Sequence, residues 1–472
     1  MTNENFYDLI VIGAGPGGYV AAIKATQLGK KVALIEKNQI GGTCLNVGCI
    51  PTKTFVANAH ILHQLKKASQ YGIKIDEKNI SIDFLEMKKR KDAVVLNLRN
   101  SLTNLIKSNG ITIFSGSASF IDKKKIKVTG ETNIELEAKN FIIASGSLPM
   151  DIKAFPCDGK KIHNSTTMLD IEKLPQKLVI IGGGYIGCEF ASIYAQMNVD
   201  VTIIEALPSI LATHCKSISK PLTDILKKQN IKILTSAKVE KINDKENGIE
   251  VQLKEMDPIE ADMALISVGR CFSNCSNLNL AKTGVATNKK GQIIVDDYMK
   301  TNIDGIYAIG DIVGKFMLAH VASHQGIIAV LNIFKNANKT MNYNAIPSAI
   351  FTIPEIGICG ISQEEAKEKK IDINVSKYPF NALGKSMAAN ETDGFVEIIS
   401  DKKYGQVLGG IVVGDGASVL ISEINLAIAN ELTLDCIIDT IHAHPTTPEA
   451  ILETCEIATG FPIHFPPKSR NV

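Results

Sequence analysis

Asp8-Leu9-Ile10-Val11-Ile12-Gly13-Ala14-Gly15-Pro16-Gly17-Gly18 is a short β-branched run that ends in glycine and enters a G-x-G-x-x-G turn. The run reads as a buried parallel strand. A helix is expected from about Gly15 to Leu28, closed by Gly29. A second strand, Lys31-Val32-Ala33-Leu34-Ile35-Glu36, ends in an acid. In this pattern Gly13 permits the turn, Gly15 lets a pyrophosphate approach the backbone, and Gly18 lets helix and strand pack. The helix N-terminus offers free N–H groups to phosphates, and Glu36 is placed to accept from a ribose diol. The stretch predicts an α/β fold that binds a dinucleotide.

The same unit recurs further along. Lys177-Leu178-Val179-Ile180-Ile181-Gly182 leads into Gly183-Gly184-Tyr185-Ile186-Gly187, and Val201-Thr202-Ile203-Ile204 ends in Glu205. Gly182, Gly184 and Gly187 repeat the three glycine roles. Glu205 would repel a 2′-phosphate and so favours NAD over NADP. The competing reading is a degenerate, empty copy, against which the retained acid speaks.

Between the two units lies Gly41-Gly42-Thr43-Cys44-Leu45-Asn46-Val47-Gly48-Cys49-Ile50-Pro51-Thr52-Lys53. Five residues of ideal helix rise roughly 7.5 Å, whereas a disulfide wants its Cα atoms about 4.4–6.8 Å apart. Joining Cys44 to Cys49 therefore needs a bent path, which Gly48 and the Gly41-Gly42 pair can supply. A dithiol in such a loop suits redox chemistry. Three other readings stay open at this point: inert buried cysteines, a structural disulfide, which a reducing compartment disfavours, or a zinc site, although no second ligand pair follows nearby.

Two later segments carry further chemistry. Thr301 to Asp311 reads as a strand delivering an acid at its C-terminal end, where sites in open α/β sheets lie. Asp311 could hold the sugar portion of a flavin, or simply cap a helix. In Ile441-His442-Ala443-His444-Pro445-Thr446-Thr447-Pro448-Glu449, Thr447 can cap a helix with Pro448 at its first position. Glu449 then falls in the first turn, where a carboxylate can orient an imidazole as a general base. Packed loop histidines are the bland alternative, and no metal-like spacing accompanies His442 and His444.

Composition narrows the classes. The chain has 472 residues and a net charge of +2, giving no reason to expect nucleic acid or a membrane surface. Ten cysteines, mostly scattered, fit a reducing compartment. The first residues lack a basic and apolar leader pattern, so a cytoplasmic location is expected. Ser69 to Lys107 reads as helical, and Ile111 to Ile143 as a β-meander turning at Asp122-Lys123 and Thr129-Gly130. A strand is expected over Gly394–Ile399, with helices near Ser418–Ala429 and Glu449–Ala458.

With these segments in hand, the chain resembles the dihydrolipoamide dehydrogenase family of flavin-dependent pyridine nucleotide-disulfide oxidoreductases. Gly42 through Pro51 and His442 through Thr446 carry the resemblance. Gly269-Arg270, Met317-Leu318-Ala319-His320, Phe351 through Glu355 and Asp393 through Val396 extend it along the chain. It implies FAD and NAD as cofactors, no metal, and two Rossmann-like domains followed by an α+β dimerisation domain. The implied divisions are 1–149 for FAD with the dithiol, 150–272 for NAD, 273–345 completing the FAD site, and 346–472 as the interface.

The resemblance also implies residue roles. Cys49 would face the flavin and Cys44 exchange with the lipoyl dithiol. His444, held by Glu449, would be the base, supplied to the dithiol by the second subunit of a homodimer. Lys53 and Glu189 would pair beside the flavin, and Tyr185 would gate the nicotinamide. Gly13, Gly15, Gly18, Glu36, Gly42, Thr43, Lys53, Ala118, Ser145, Gly146, Ser147, Asp311, Met317, Leu318, Ala319 and His320 match flavin-contacting segments. Gly182, Gly184, Tyr185, Gly187, Glu189, Glu205, Val239 and Gly269 match NAD-contacting ones. Implied partners are lipoyl-bearing acyltransferases of 2-oxoacid dehydrogenase complexes, or a glycine-cleavage lipoyl protein. Val321 through Gly326 is less acidic than the family usually shows, and Pro448 and Asn381 through Lys385 also depart from it. Glutathione reductase-like enzymes prefer NADPH, which Glu205 opposes. The extra C-terminal cysteine pair usual in mercuric reductases does not occur in Phe465 through Val472.

Overall fold

The computed structural model describes residues 5–76, 80–131, 133–212, 216–272 and 277–466. The chain divides into two compact units: Met1–Asn58 with Ser81–Leu174 and Val268–Met341, and Ala59–Ile80 with Pro175–Ser267 and Asn342–Val472.

The first unit is built on parallel strands in the order Thr112–Phe120, Val32–Glu36, Phe6–Ile12, Ile134–Ile143, Ile306–Ala308. Strand Lys125–Gly130 runs antiparallel to both Thr112–Phe120 and Ile134–Ile143. Leu9, Ile10 and Val11 are wholly buried, as expected of a strand covered on both faces. Helix Pro16–Gln27 starts with proline at its first turn and crosses helix Ala319–Lys335 closely. A Cβ on Gly326 would lie 2.6 Å from the Gly17 carbonyl oxygen, so this crossing tolerates nothing larger than glycine there. The segment Val321 through Gly326, which holds no acidic residue, is thus part of a helix packing seam.

The second unit repeats the parallel arrangement with Lys232–Leu234, Asp200–Ile204, Lys177–Ile181 and Met263–Ile266, in that order. A three-stranded antiparallel meander, Val239–Lys245, Gly248–Leu253 and Met256–Ala261, is inserted before the last of these. Beyond residue 346 lies an antiparallel sheet in the order Ser348–Ile350, Glu355–Gly360, Val407–Gly414, Phe395–Asp401, Ile373–Pro379. Helices Ala417–Ala429 and Glu449–Thr459 pack on it around Tyr378, Val396, Ile424 and Ile451. No helix among the described residues is long and apolar enough to cross a membrane.

Four local expectations change. The stretch from Ser69 to Lys107 is not one helix: a 3-10 turn, Ala68–Tyr71, ends at Gly72 (φ +76°), and helix Phe84–Ser108 starts only after Asp83. The Asp83 carboxylate accepts the Glu86 N–H at 3.0 Å, a side-chain cap that marks a true start. Thr129 and Gly130 are the end of a strand rather than a turn. Only Ile306–Ala308 of the 301–311 segment is strand, and Asp311 sits in the 3-10 turn Gly310–Val313. Thr447 does not cap with its side chain; Pro448 occupies the cap position of helix Glu449–Thr459 and no side chain caps it. The expected division near 272/273 and the residues from 467 onward touch positions outside the described residues.

Candidate active site

Gly13 takes φ +104°, and a Cβ on Gly18 would collide with the Gly13 carbonyl oxygen. A Cβ on Gly15 would meet only the Gly42 Cα, at 4.0 Å. One glycine thus makes the turn, one lets the helix sit against the strand, and the third leaves its outer side open. That distribution fits a pyrophosphate laid over the turn. Glu36 braces the turn: its carboxylate accepts the Ala14 N–H at 2.7 Å and the Asn38 N–H at 2.9 Å.

The second unit reproduces these relations. Gly182 takes φ +106°, Gly187 abuts the Gly182 carbonyl, and Gly184 has nothing within 4 Å of a Cβ. Glu205 accepts the Gly183 and Leu207 N–H groups, each at 2.7 Å. Both sites retain an acid in the same place, so the second copy has the features of a working site.

The cysteine segment bends as its glycines require. Gly41 (φ +96°) and Gly42 (φ +59°) open the short helix Gly42–Val47, and Gly48 (φ −143°, ψ −108°) breaks it before helix Cys49–Lys67. Cys44 is half-buried and Cys49 exposed, and both are thiols here. The hydrogen bond between the two sulfurs, together with burial, pushes the Cys44 thiol well above its ordinary value. The Cys44 thiol therefore resists ionisation. Lys53, one turn further along the Cys49 helix, opposes the shift at Cys44.

His444 Nδ1 lies 2.8 Å from Glu449 Oε1, and Glu449 Oε2 accepts the Thr446 N–H at 2.7 Å. Burial pushes the Glu449 carboxyl up, but the Thr446 N–H and His444 outweigh it and hold the group below the usual carboxylate range. A carboxylate only accepts, so Nδ1 carries the proton and Nε2 is left as the basic nitrogen. The ring is 79% exposed, as a base for an incoming substrate requires. His442 is instead buried between Thr440 O (2.8 Å) and Glu423 Oε1 (2.9 Å). No potential metal cluster occurs among the described residues.

The remaining flavin-matching residues line the first unit. Ser147 donates to Asp311 Oδ2 through its hydroxyl, and Gly146 takes φ +71°. The Gly310 N–H is accepted by the buried Gln325 side chain at 2.7 Å, which fixes the turn carrying Asp311. Met317 and Leu318 lead into the helix that begins with Ala319 and His320. Ala118 is the exception in character: it is buried in the apolar cluster under the sheet. In the second unit, Tyr185 opens helix Tyr185–Gln196 and Val239 opens the meander. Glu189, 6% exposed, accepts the Phe351 N–H at 2.9 Å. Lys53 and Gly269 belong to the first unit.

Residues 7–326 match the model of the pyridine nucleotide-disulphide oxidoreductases, and residues 346–455 match the dimerisation domain of the same family. The chain belongs to the pyridine nucleotide-disulphide oxidoreductase family. It is 46% identical over 469 residues to a dihydrolipoyl dehydrogenase of Chlamydia pneumoniae, covering 99% of this chain and 100% of the relative. A second, from Chlamydia muridarum, is 47% identical over 98% of this chain and 99% of its own. Among solved structures, LpdA from Mycobacterium tuberculosis superimposes with a TM-score of 0.90 at 26% identity, over 95% of this chain and 99% of that one.

Pyridine nucleotide-disulphide oxidoreductases use FAD and NAD(H). The residues fit both: the open Gly15 turn with Glu36 and Asp311 for the flavin nucleotide, the open Gly184 turn with Glu205 for the nicotinamide one. Sequence reasoning missed Arg270 as a working side chain, the bond from Gln325 to Gly310, and the pair His464 Nδ1–Glu453 Oε1 at 2.7 Å. The Gly269-Arg270 motif was the one available signal for the first; the other two join residues 15 and 11 apart, beyond the spacing of a helix turn, and leave no local pattern.

Proposed function

We propose that this chain oxidises protein-bound dihydrolipoamide to lipoamide with reduction of NAD⁺, as a homodimer. The observation that carries the reading is that one chain holds both the hydrogen-bonded Cys44–Cys49 dithiol and the His444–Glu449 dyad, in a chain similar throughout its length to dihydrolipoyl dehydrogenases. Exposed apolar side chains on the dimerisation domain, among them Val419, Leu426, Phe461 and Ile441 (97% exposed), support a second copy as its partner. The division 1–149, 150–272, 273–345 and 346–472 is the domain scheme of this proposal, and the cytoplasm its location.

The chemistry starts from the oxidised Cys44–Cys49 pair. His444 Nε2 takes a proton from one substrate thiol, and the resulting thiolate attacks Cys44 Sγ. The Cys44–Cys49 bond breaks, Cys49 leaves as thiolate, and a mixed disulfide joins substrate to Cys44. The second substrate sulfur loses its proton as it attacks the first, displacing Cys44 and closing the lipoyl disulfide; that proton passes to the released Cys44, and the first proton remains on His444. Two electrons and one proton are then held by the dithiol, with the charge on Cys49. Glu449 keeps the imidazole in the tautomer this needs. Bound FAD supplies the two-electron relay between this dithiol and NAD⁺. In the dimer, the dyad of one copy serves the dithiol of the other. The macromolecular substrate would be the lipoyl-bearing acyltransferase of a 2-oxoacid dehydrogenase complex, or a glycine-cleavage lipoyl protein.

An anaerobic absorbance titration with dihydrolipoamide, then NAD⁺, tests the proposal. New long-wavelength absorbance on reduction, lost as NADH forms, is the expected result. A flavin spectrum unmoved by dihydrolipoamide but bleached by NADPH would overturn it in favour of a different disulfide reductase.

A further inference from the structure

Arg270 has no role in the reading above, yet it is built into the flavin unit. Its side chain is 9% exposed. Nε donates to Ser147 Oγ at 2.7 Å, and Nη2 donates to the Ser147 carbonyl at 2.9 Å. Ser147, itself 2% exposed, donates a hydrogen bond from its hydroxyl to Asp311 Oδ2. A guanidinium cannot accept and a carboxylate cannot donate, so the direction of this chain is forced: Arg270 to Ser147 to Asp311. Arg270 Nε also lies 3.9 Å from Asp311 Oδ2, close enough for its charge to act on the carboxylate directly. Asp311 keeps 24% of its side chain exposed, so one face stays open to a ligand.

The same arginine fastens the backbone. Leu148–Pro149 and Arg270–Cys271 pair antiparallel as a two-strand ribbon, in register Arg270↔Pro149 and Cys271↔Leu148. The Met150 N–H to Gly269 O bond, at 3.0 Å, extends that ribbon. Only a planar fork can reach the hydroxyl and the carbonyl of one residue together; a lysine ammonium is a point charge on a flexible stem. The chain holds four arginines among 51 basic residues, and one of them stands here.

We propose that Arg270 is a positioning residue of the flavin site, acting through Ser147 to hold the Asp311 carboxylate ready for a hydroxyl of the flavin's sugar chain. This rests on the reading of the first unit as the FAD site. A hydrogen bond to a charged group is worth enough that breaking the relay should weaken flavin binding roughly tenfold to a hundredfold.

The test is the rate of flavin release from the full-length holoprotein on dilution, read as rising flavin fluorescence, with thermal melting in parallel. Arg270→Met should speed release by roughly tenfold or more, and Arg270→Lys should recover only part of the loss. In an Asp311→Ala background, Arg270→Met should change release by less than about twofold, since the carboxylate it positions is gone. A purely ribbon-stabilising arginine would cost the same in both backgrounds, and that result overturns the proposal, as does wild-type release from Arg270→Met. If Arg270→Met does not fold, Ser147→Ala carries the same prediction, because it deletes the relay hydroxyl and leaves the carbonyl contact. A parent protein that holds no flavin would instead sink the reading of the unit itself.

Discussion

His444 Nδ1 is held 2.8 Å from Glu449 Oε1 while the other Glu449 oxygen takes the Thr446 N–H, so the loop's own backbone fixes the carboxylate that orients the imidazole. Replacing Glu449 with Gln keeps the size and removes the charge. The amide can present its NH₂ to the ring and favour the wrong tautomer, and kcat for dihydrolipoamide should fall on the order of a hundredfold. Stability follows the same group. Its folded pKa lies below the unfolded value, so its contribution is present above about pH 4.3 and is lost as pH falls through the folded value. Urea midpoints of parent and Glu449→Gln should differ at pH 7 and converge in strong acid; a constant gap would contradict the assignment.

The three glycines of the first turn should respond differently to alanine. At Gly15 the new methyl would face open space beyond the Gly42 Cα, so Gly15→Ala should melt like the parent yet hold flavin poorly. At Gly18 it would strike the Gly13 carbonyl, so Gly18→Ala should lose about 1–3 kcal/mol of stability through overpacking alone. Flavin content and melting temperature, measured on both, separate the two roles. Equal melting curves for the two variants would count against this division.

Cys44→Ser removes the sulfur that the proposed mechanism has the substrate attack, but leaves Cys49. Dihydrolipoamide oxidation should disappear, while a Cys49 thiolate keeps long-wavelength absorbance next to the flavin. Normal turnover in this variant would sink the dithiol assignment.

Glu205 braces its turn through Gly183 and Leu207 and stands where a ribose diol would bind. Glu205→Ala should raise KM for NAD⁺ roughly tenfold, about the value of one charged hydrogen bond, and should narrow the preference over NADP⁺. Steady-state kinetics with both nucleotides decide it; an unchanged KM removes the ribose role.

The two nucleotide turns, the bend between Cys44 and Cys49, and the closeness of His444 to Glu449 are legible in the residues alone. Each is a short-range arrangement. Glycines needing a positive φ, a strand of β-branched residues and an acid at a strand end act within about a helix turn or one βαβ unit, so their types suffice to predict them. Local reading failed where two signals competed. The charged stretch after Lys67 suggested continuous helix, but Gly72 ended one element and the Asp83 cap began another. Thr447 looked like a cap, yet the Thr446 N–H found the Glu449 carboxylate instead.

Partners remote along the chain become visible only in the assembled fold. Arg270 meets Ser147 across 123 residues, and Ser147 meets Asp311 across 164. The Phe351 N–H reaches Glu189 across 162, and Gln325 is drawn to the Gly310 N–H by the helix crossing at Gly17 and Gly326. Such contacts form because sheets and helices bring distant backbone together and buried polar groups must then find partners. Nothing in the local composition encodes which partner that will be.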